Sequence, residues 1–269
     1  MSKKKEKTLK DYLDELIAKG QYYFIVDEIK AKLKVQDNSL SVALSRLAKK
    51  KKIKTIKHGF GLILYAHEGE LHPSHYLDQM MKLLNAKYYL GLLSAAAFWG
   101  ASHQSSMSFQ VVTNKIVKPI KFEKGRIEFV AKQISFPELG LQKVAGNGGY
   151  FLISSPELTA IDLLRFPKRS GHLNNVATIL EELCEKWTKE NMVKIFSDSS
   201  VPTVTLQRLG YLLDIVLKKE KEAGIVEKIL AQKHTAPTLL SSSKKVTNLK
   251  SLSFNERWKL YINTTVEPD

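Results

Sequence analysis

Residues 122–132, FEKGRIEFVAK, hold the acids and the lysine from which a metal-dependent nuclease could be assembled. Glu123 and Glu128 would hold Mg²⁺ by their carboxylates, with Lys132 nearby beside a strand. The same charged residues alternate with Ile127, Phe129 and Val130 as in any half-exposed strand, so a plain strand is the simpler reading. His67, His72 and His75 crowd nine positions with Glu68 and Glu70, a set able to ligate a transition metal. No helix or strand fixes their spacing, and a polar linker accounts for them without a metal. Cys184, the sole cysteine, excludes intramolecular disulfides and cysteine-rich zinc sites and points to a reduced compartment. It stands with Leu180 and Leu183 in an amphipathic stretch, the setting of a small buried residue. The glycines of GNGG, 146–149, precede a strand and read as a hairpin turn, not a phosphate cradle. Tyr88, Tyr89, Phe98 and Trp99 lie in an apolar, small-residue run and read as core. No Ser/His/Asp arrangement is recognisable by spacing. No catalytic residue, cofactor or metal is assigned, and a winged-helix-targeted, metal-dependent nuclease remains the alternative function.

Recognition of polyanions has wider support. Lys+Arg outnumber Asp+Glu by 42 to 27, a formal charge of +15. Residues 1–66 hold 16 Lys and Arg against 7 Asp and Glu, a net +9, and the other 203 residues only +6. A field of this sign attracts nucleic acid. It is concentrated in residues 38–61, NSLSVALSRLAKKKKIKTIKHGFG, where six basic residues fall within nine positions.

Three helices and a hairpin are predicted to position those residues. Leu9, Tyr12, Leu13, Leu16 and Ile17 recur at helical spacing before Gly20, and Val26, Ile29 and Leu33 mark a second, short helix. A third follows the KVQD turn, capped by Asp37 or Asn38, with Leu40, Ala43, Leu44 and Leu47 turned inward. Ser39, Ser41, Ser45, Arg46 and Lys49 are left facing out, where small hydroxyls permit close approach and the cations reach guanines or backbone oxygens. IKTIK and GLILY flank HGF as two strands, with Gly59 and Gly61 suited to the turn. The expected domain is a winged helix-turn-helix, its third helix in the major groove and its hairpin, with Lys54, Lys57 and His58, along the backbone. Lys50, Lys51 and Lys52 bridge the two elements, together with Lys49. A winged helix that binds only protein is the plain alternative.

The charge shift places one domain at 1–66, a linker at 67–75 in HEGELHPSH, and a second domain at 76–269. The second domain is expected to hold a helix through LDQMMKLL and a buried helix YYLGLLSAAAFWG ended by Gly100. The runs SFQVVT, KGRIEFVAK and GGYFLIS form a small sheet, and a helix at SSPELTAIDLL is capped by Ser155 and followed by further helices. The fold class is α+β: a winged helix-turn-helix, then a larger mixed helical domain with a small β-sheet. The longest apolar run, 88–101, has 14 residues, short of the roughly 20 a spanning helix needs. MSKKKEKTLK leads into an amphipathic stretch without the apolar core of a secretory signal, so the cytoplasm is the expected compartment.

The order and spacing of ALSRLAKKKKI, GFGLILY, YYLGLLSAAAFWGASHQ, FQVVT, SSPELTAIDLLR, LQRLGYLLD and NERWKLYIN resemble the AbiEi family of antitoxins from type IV toxin–antitoxin, or abortive infection, systems. The resemblance implies a winged-helix transcriptional repressor that binds an inverted repeat in double-stranded DNA upstream of its own operon. It also implies a C-terminal domain that counteracts a nucleotidyltransferase toxin without a stable complex.

Overall fold

The structure, a computed structural model, describes residues 7–65, 71–101, 108–132, 136–146, 149–242 and 248–268. The chain divides into two compact units, Met1–Lys87 with Lys118–Ile127 and Val144–Phe151, and Tyr88–Val117 with Glu128–Lys143 and Leu152–Asp269. Mixed α and β structure fills both, with ten α-helices and small sheets among the described residues.

The first unit begins with α1 (Leu9–Ala18), started by a reciprocal cap: Thr8 Oγ1 accepts from the Asp11 N–H at 3.2 Å and Asp11 accepts from the Thr8 N–H at 3.0 Å. Gly20, at φ 74°, ends it, with the Gln21 N–H bonded to the Leu16 carbonyl and the Gly20 N–H to that of Ile17. β1 (Tyr23–Ile25), α2 (Val26–Leu33), α3 (Asp37–Lys49), β2 (Ile53–Lys57) and β3 (Phe60–Ile63) follow. The strands form one antiparallel sheet in the order β1-β3-β2. Tyr12, Leu13, Leu16, Phe24, Ile29, Leu40, Ile53 and Ile63 make its core, with Leu44 and Leu47 of α3 packed against them. Each such large side chain contributes about 1.5 to 3 kcal/mol when fully buried.

Three local expectations change. Beyond the three helices and the hairpin expected, Tyr23–Ile25 adds a strand, β1, that pairs with β3. Gln36, not Asp37 or Asn38, is the residue before α3, and it makes no side-chain cap. Asp37 is instead the first helical residue, where its charge suits the dipole and pairs with Lys30 at 3.0 Å. Gly59, at φ 79°, lies in the hairpin turn, but Gly61 lies inside β3, where a Cβ would stand 2.3 Å from Phe24 Cζ. Close approach of the Phe24 ring, not turn geometry, requires glycine at Gly61. Beyond the hairpin, residues 66–70 lie outside the described residues, Leu71 and Pro73 are buried, and α4 (Leu77–Leu83) buries Leu77, Met80 and Met81.

The expected helix over 88–100 is two elements. Tyr88, Tyr89 and Leu90 form β4, which pairs antiparallel with β5 (Ser108–Thr113), and only Leu92–Phe98 is helical, as α5. The break falls at Gly91, where a Cβ would stand 2.8 Å from Val112 Cγ2. Leu92 follows at φ 54°. Sheet pairing overrides the helical look of an apolar run, while Gly100, at φ 76°, does end α5.

β6 (Ile120–Phe122), β7 (Gly125–Ala131), β8 (Leu141–Gly146) and β9 (Gly149–Ser154) complete a six-stranded sheet of order β6-β7-β5-β4-β9-β8. Residues 147–148 of the GNGG turn lie outside the described residues.

In the second unit, Ser155 caps α6 (Pro156–Arg165) by accepting from the Leu158 N–H at 3.3 Å. Every residue of α6 from Pro156 to Leu164 is buried, which makes it the central helix of this unit. α7 (His172–Leu183), α8 (Lys189–Phe196), α9 (Thr203–Tyr211) and α10 (Glu220–Leu230) pack with it into one core. A π-turn, Leu212–Val216, extends α9.

The described residues after 240 dock on these helices. β10 (Thr238–Leu239), β11 (Ser253–Asn255) and β12 (Leu260–Ile262) form a small sheet, and Trp258 is buried with its Nε1–H donated to Asp214 at 2.9 Å. Gly210 of α9 lies directly beneath the indole, where a Cβ would stand 2.0 Å from Trp258 Cζ3. The Arg257 guanidinium holds Asp214 at 2.8 Å and Glu227 at 3.1 and 2.7 Å.

Candidate nucleic-acid interface

The inward face of α3 is fixed by Leu40, Leu44 and Leu47, and helical geometry then decides what the other face shows. Ser39, Ser41, Ser45, Arg46 and Lys49 are all exposed. Val42 joins them at 49% exposure, an apolar group on the outer face that the sequence reading passed over. Its spacing from Leu40 already marked it as outward. No acid occurs from Ser39 to Lys57, and the one at the start of α3, Asp37, is paired with Lys30.

α3 ends in the same pair of bonds as α1, Lys52 N–H to Leu47 carbonyl and Lys51 N–H to Ala48 carbonyl. The left-handed position falls on Lys51, at φ 54°, where glycine is the usual occupant. Lys50, Lys51 and Lys52 are thus splayed across a sharp helix end, all exposed. The Lys52 ammonium lies 5.7 Å from the ring centroid of Tyr65, whose hydroxyl donates to Asp14 at 2.7 Å. Burial first, and then the Asp14 carboxylate, pushes the Tyr65 phenol well up from its ordinary value.

The hairpin lysines are differently placed. Lys54 donates to the Lys121 carbonyl at 3.1 Å and Lys57 to the Lys118 carbonyl at 3.2 Å, so both ammonium groups are anchored within the first unit. Burial, and next the Lys118 charge, holds the Lys57 ammonium below its ordinary value. His58 stands exposed in the two-residue turn between them. These anchors were not legible in sequence, because their acceptors are backbone carbonyls about sixty positions away.

The residues considered for metal chemistry are spread across the fold. Glu123 belongs to the first unit and Glu128 to the second. Glu128 meets Arg169 at 3.5 Å, and Lys132 is committed to Asp162 at 3.0 Å in a fully buried pair. The second oxygen of Asp162 accepts from the Tyr89 hydroxyl at 2.6 Å, and burial followed by this carboxylate drives the phenol upward. Lys132 thus neutralises a structural carboxylate in the middle of α6. His67, Glu68 and Glu70 lie outside the described residues. His72 caps the short turn Pro73–His75, accepting from the Ser74 N–H at 3.3 Å. Burial raises the Cys184 thiol to about 12, which keeps it a neutral core group. Among the described residues no group of three or more His, Cys, Asp or Glu converges on one point, and no helix is long and apolar enough to cross a membrane.

No curated protein matches the sequence. The fold is similar to that in the crystal structure of the Rv2827c protein from Mycobacterium tuberculosis, with TM-score 0.64 at 14% identity over 94% of this chain and 90% of that one. An antigenic nucleotidyltransferase-like protein from Paracoccidioides brasiliensis aligns with 56% of this chain and 90% of its own at 12% identity, but its TM-score of 0.35 supports no shared fold. The family model described as the AbiEi antitoxin C-terminal domain matches residues 89–215, from β4 to the π-turn. FQVVT, SSPELTAIDLLR and LQRLGYLLD fall inside that span, and ALSRLAKKKKI, GFGLILY and NERWKLYIN fall outside it. Residues 89–215 are thus similar to the C-terminal domain of the AbiEi antitoxin family.

Proposed function

We propose that the chain is a cytoplasmic DNA-binding autorepressor and antitoxin of a type IV toxin–antitoxin system, whose first unit is a winged helix-turn-helix. The observation that carries the DNA-binding half is the outer face of α3: three serines, Arg46 and Lys49 exposed together on a helix whose one acid, Asp37 at its start, is paired with Lys30, and whose inner face is packed. The order α1-β1-α2-α3-β2-β3 suits a docking in which α3 lies in the major groove of an inverted repeat and the β2–β3 turn follows the backbone. Arg46 and Lys49 then read base edges or phosphates, Ser39, Ser41 and Ser45 permit close approach, and Lys50, Lys51 and Lys52 hold phosphates. Lys54 and Lys57 stiffen the base of the turn and leave His58 at its tip. The antitoxin half is supported by the family match over residues 89–215, and the nucleotidyltransferase class of the toxin, met without a stable complex, by the family resemblance.

The test is a salt-titrated gel shift of the full chain on the DNA immediately upstream of its own gene, with shuffled DNA as competitor, with and without Mg²⁺. Salt-sensitive preference for the upstream DNA, which stays intact, is the expected result. Equal affinity for shuffled DNA would remove the repressor reading, and Mg²⁺-dependent cleavage would replace it with a nuclease.

A further inference from the structure

The outer face of α3 carries one side chain that the roles given to its serines and cations do not use. Among the described residues of α3, Val42 is the one large apolar side chain left exposed, at 49%. It joins neither the core of the first unit nor the half-buried side chains packed around that core. Turning about 100° per residue, the helix places it nearly opposite Leu40, Leu44 and Leu47. Its neighbours one turn away, Ser39, Ser45 and Arg46, are exposed as well.

A lone exposed valine is ordinary on a protein surface, and it is the setting that gives this one a use. Ser39 and Ser45 reach no further from the helix than the valine methyl groups, so neither covers them. Branching at Cβ holds a helical valine largely in one rotamer, so those methyl groups keep a fixed direction and lose little freedom on contact. Valine favours a helix less than alanine does, and at this exposure it buries little area, so folding alone does not call for it. The base edges of the major groove are hydrogen-bond donors and acceptors with one apolar exception, the C5 methyl of thymine.

We propose that Val42 is a specificity-determining residue whose methyl groups pack on the C5 methyl of a thymine in the DNA that α3 enters. The proposal rests on the reading of the first unit as DNA-binding and adds to it the identity of one base. Arg46 stands four residues further on, about 6 Å along the helix axis, and stacked bases are spaced about 3.4 Å along a strand. The thymine therefore falls within about two base pairs of any base that Arg46 reads. Val42 bears no charge, so the contact releases no counterions and adds sequence preference without adding salt dependence.

The test uses the full chain and fluorescein-labelled duplexes of the DNA upstream of its own gene, with anisotropy giving the affinity of the wild type and of Val42→Ala. Val42 is exposed and alanine favours a helix, so this variant should fold as the wild type does. Each thymine is replaced in turn by deoxyuridine, which removes the C5 methyl and leaves every hydrogen-bonding group in place. At one thymine of a half-site the replacement should weaken wild-type binding about fourfold, the worth of burying about one methyl group, and should not affect Val42→Ala. Val42→Ile keeps a branched apolar side chain and should keep the sensitivity. A loss of equal size in the wild type and Val42→Ala gives the methyl to another side chain and overturns the proposal. Selective, salt-sensitive binding that no single deoxyuridine weakens also overturns it, and leaves the repressor reading standing. Binding no tighter than to shuffled DNA removes the repressor reading itself, and this contact with it. The same methyl occurs on 5-methylcytosine. Tighter binding to a cytosine-methylated duplex, abolished by Val42→Ala and accompanied by no deoxyuridine effect, overturns thymine in favour of that base.

Discussion

The cations of the α3–β2 stretch in the first unit and those bound to carboxylates in the second are used in opposite ways. In the second unit Lys132 meets Asp162 at 3.0 Å out of contact with water, and Arg257 holds Asp214 and Glu227 at 2.8 and 2.7 Å. In the first, Arg46, Lys49, Lys50 and Lys51 stand exposed on a stretch without acids, and Lys54 and Lys57 are anchored by carbonyls. A cation matched by a carboxylate inside its own unit holds the fold together and has little left to offer a partner. One left exposed on an acid-free surface contributes almost nothing to folding and remains available to an outside anion. Net charge cannot make that distinction, since +15 counts both kinds alike.

The sharpest way to break the contrast is to strike the paired set. Lys132→Met strips Asp162 of its buried partner and should cost about 3 to 5 kcal/mol of stability. Denaturant unfolding measures it, and Asp162→Asn added to the same chain should recover part of the loss. A loss below about 1 kcal/mol would show that the pair is not the structural element described. Trp258→Ala, which empties the space above Gly210, should cost a similar 3 to 5 kcal/mol while DNA affinity per folded molecule stays unchanged. If affinity falls instead, the docked tail is part of the interface and the division of labour is wrong.

Strikes at the exposed set should do the reverse. Arg46→Ala is expected to leave the melting curve alone and weaken specific DNA binding by about 1 to 3 kcal/mol, with relaxed preference at one position of the site. Uniform loss on all sequences would make Arg46 a phosphate contact. The smallest effect belongs to Lys51→Gly. Relief of the left-handed backbone should offset the entropy of glycine and shift stability by no more than about 1 kcal/mol, while the salt slope falls by about 0.9 if Lys51 touches a phosphate. An unchanged slope would withdraw Lys51 from the interface.

Much of the first unit was legible because its signals are local. Helical spacing gave Leu13, Leu16, Ile29 and Leu40 as core, and the same periodicity turned Ser41, Ser45 and Arg46 outward. The capping of α6 by Ser155 was equally plain. Reading failed where long-range pairing outweighs local preference. Tyr88–Leu90 looks helical beside Ala95–Ala97 until β5 and β9 are there to receive it as a strand. Gly61 looks like a turn residue until the Phe24 ring lies on it.

For this protein, the sequence alone determined a hydroxyl-bearing basic helix followed by a hairpin, because amphipathic period and turn chemistry act over a few residues. It also carried the motifs by which residues 89–215 resemble the AbiEi antitoxin C-terminal domain. Only the tertiary structure decided which cations are spent inside the fold. That Lys132 lies against Asp162, Arg257 against Asp214, and Lys54 and Lys57 against the backbone of 118–121 depends on contacts between residues 30 to 67 positions apart. Charge pairing is a property of distance in space, and no local pattern encodes it.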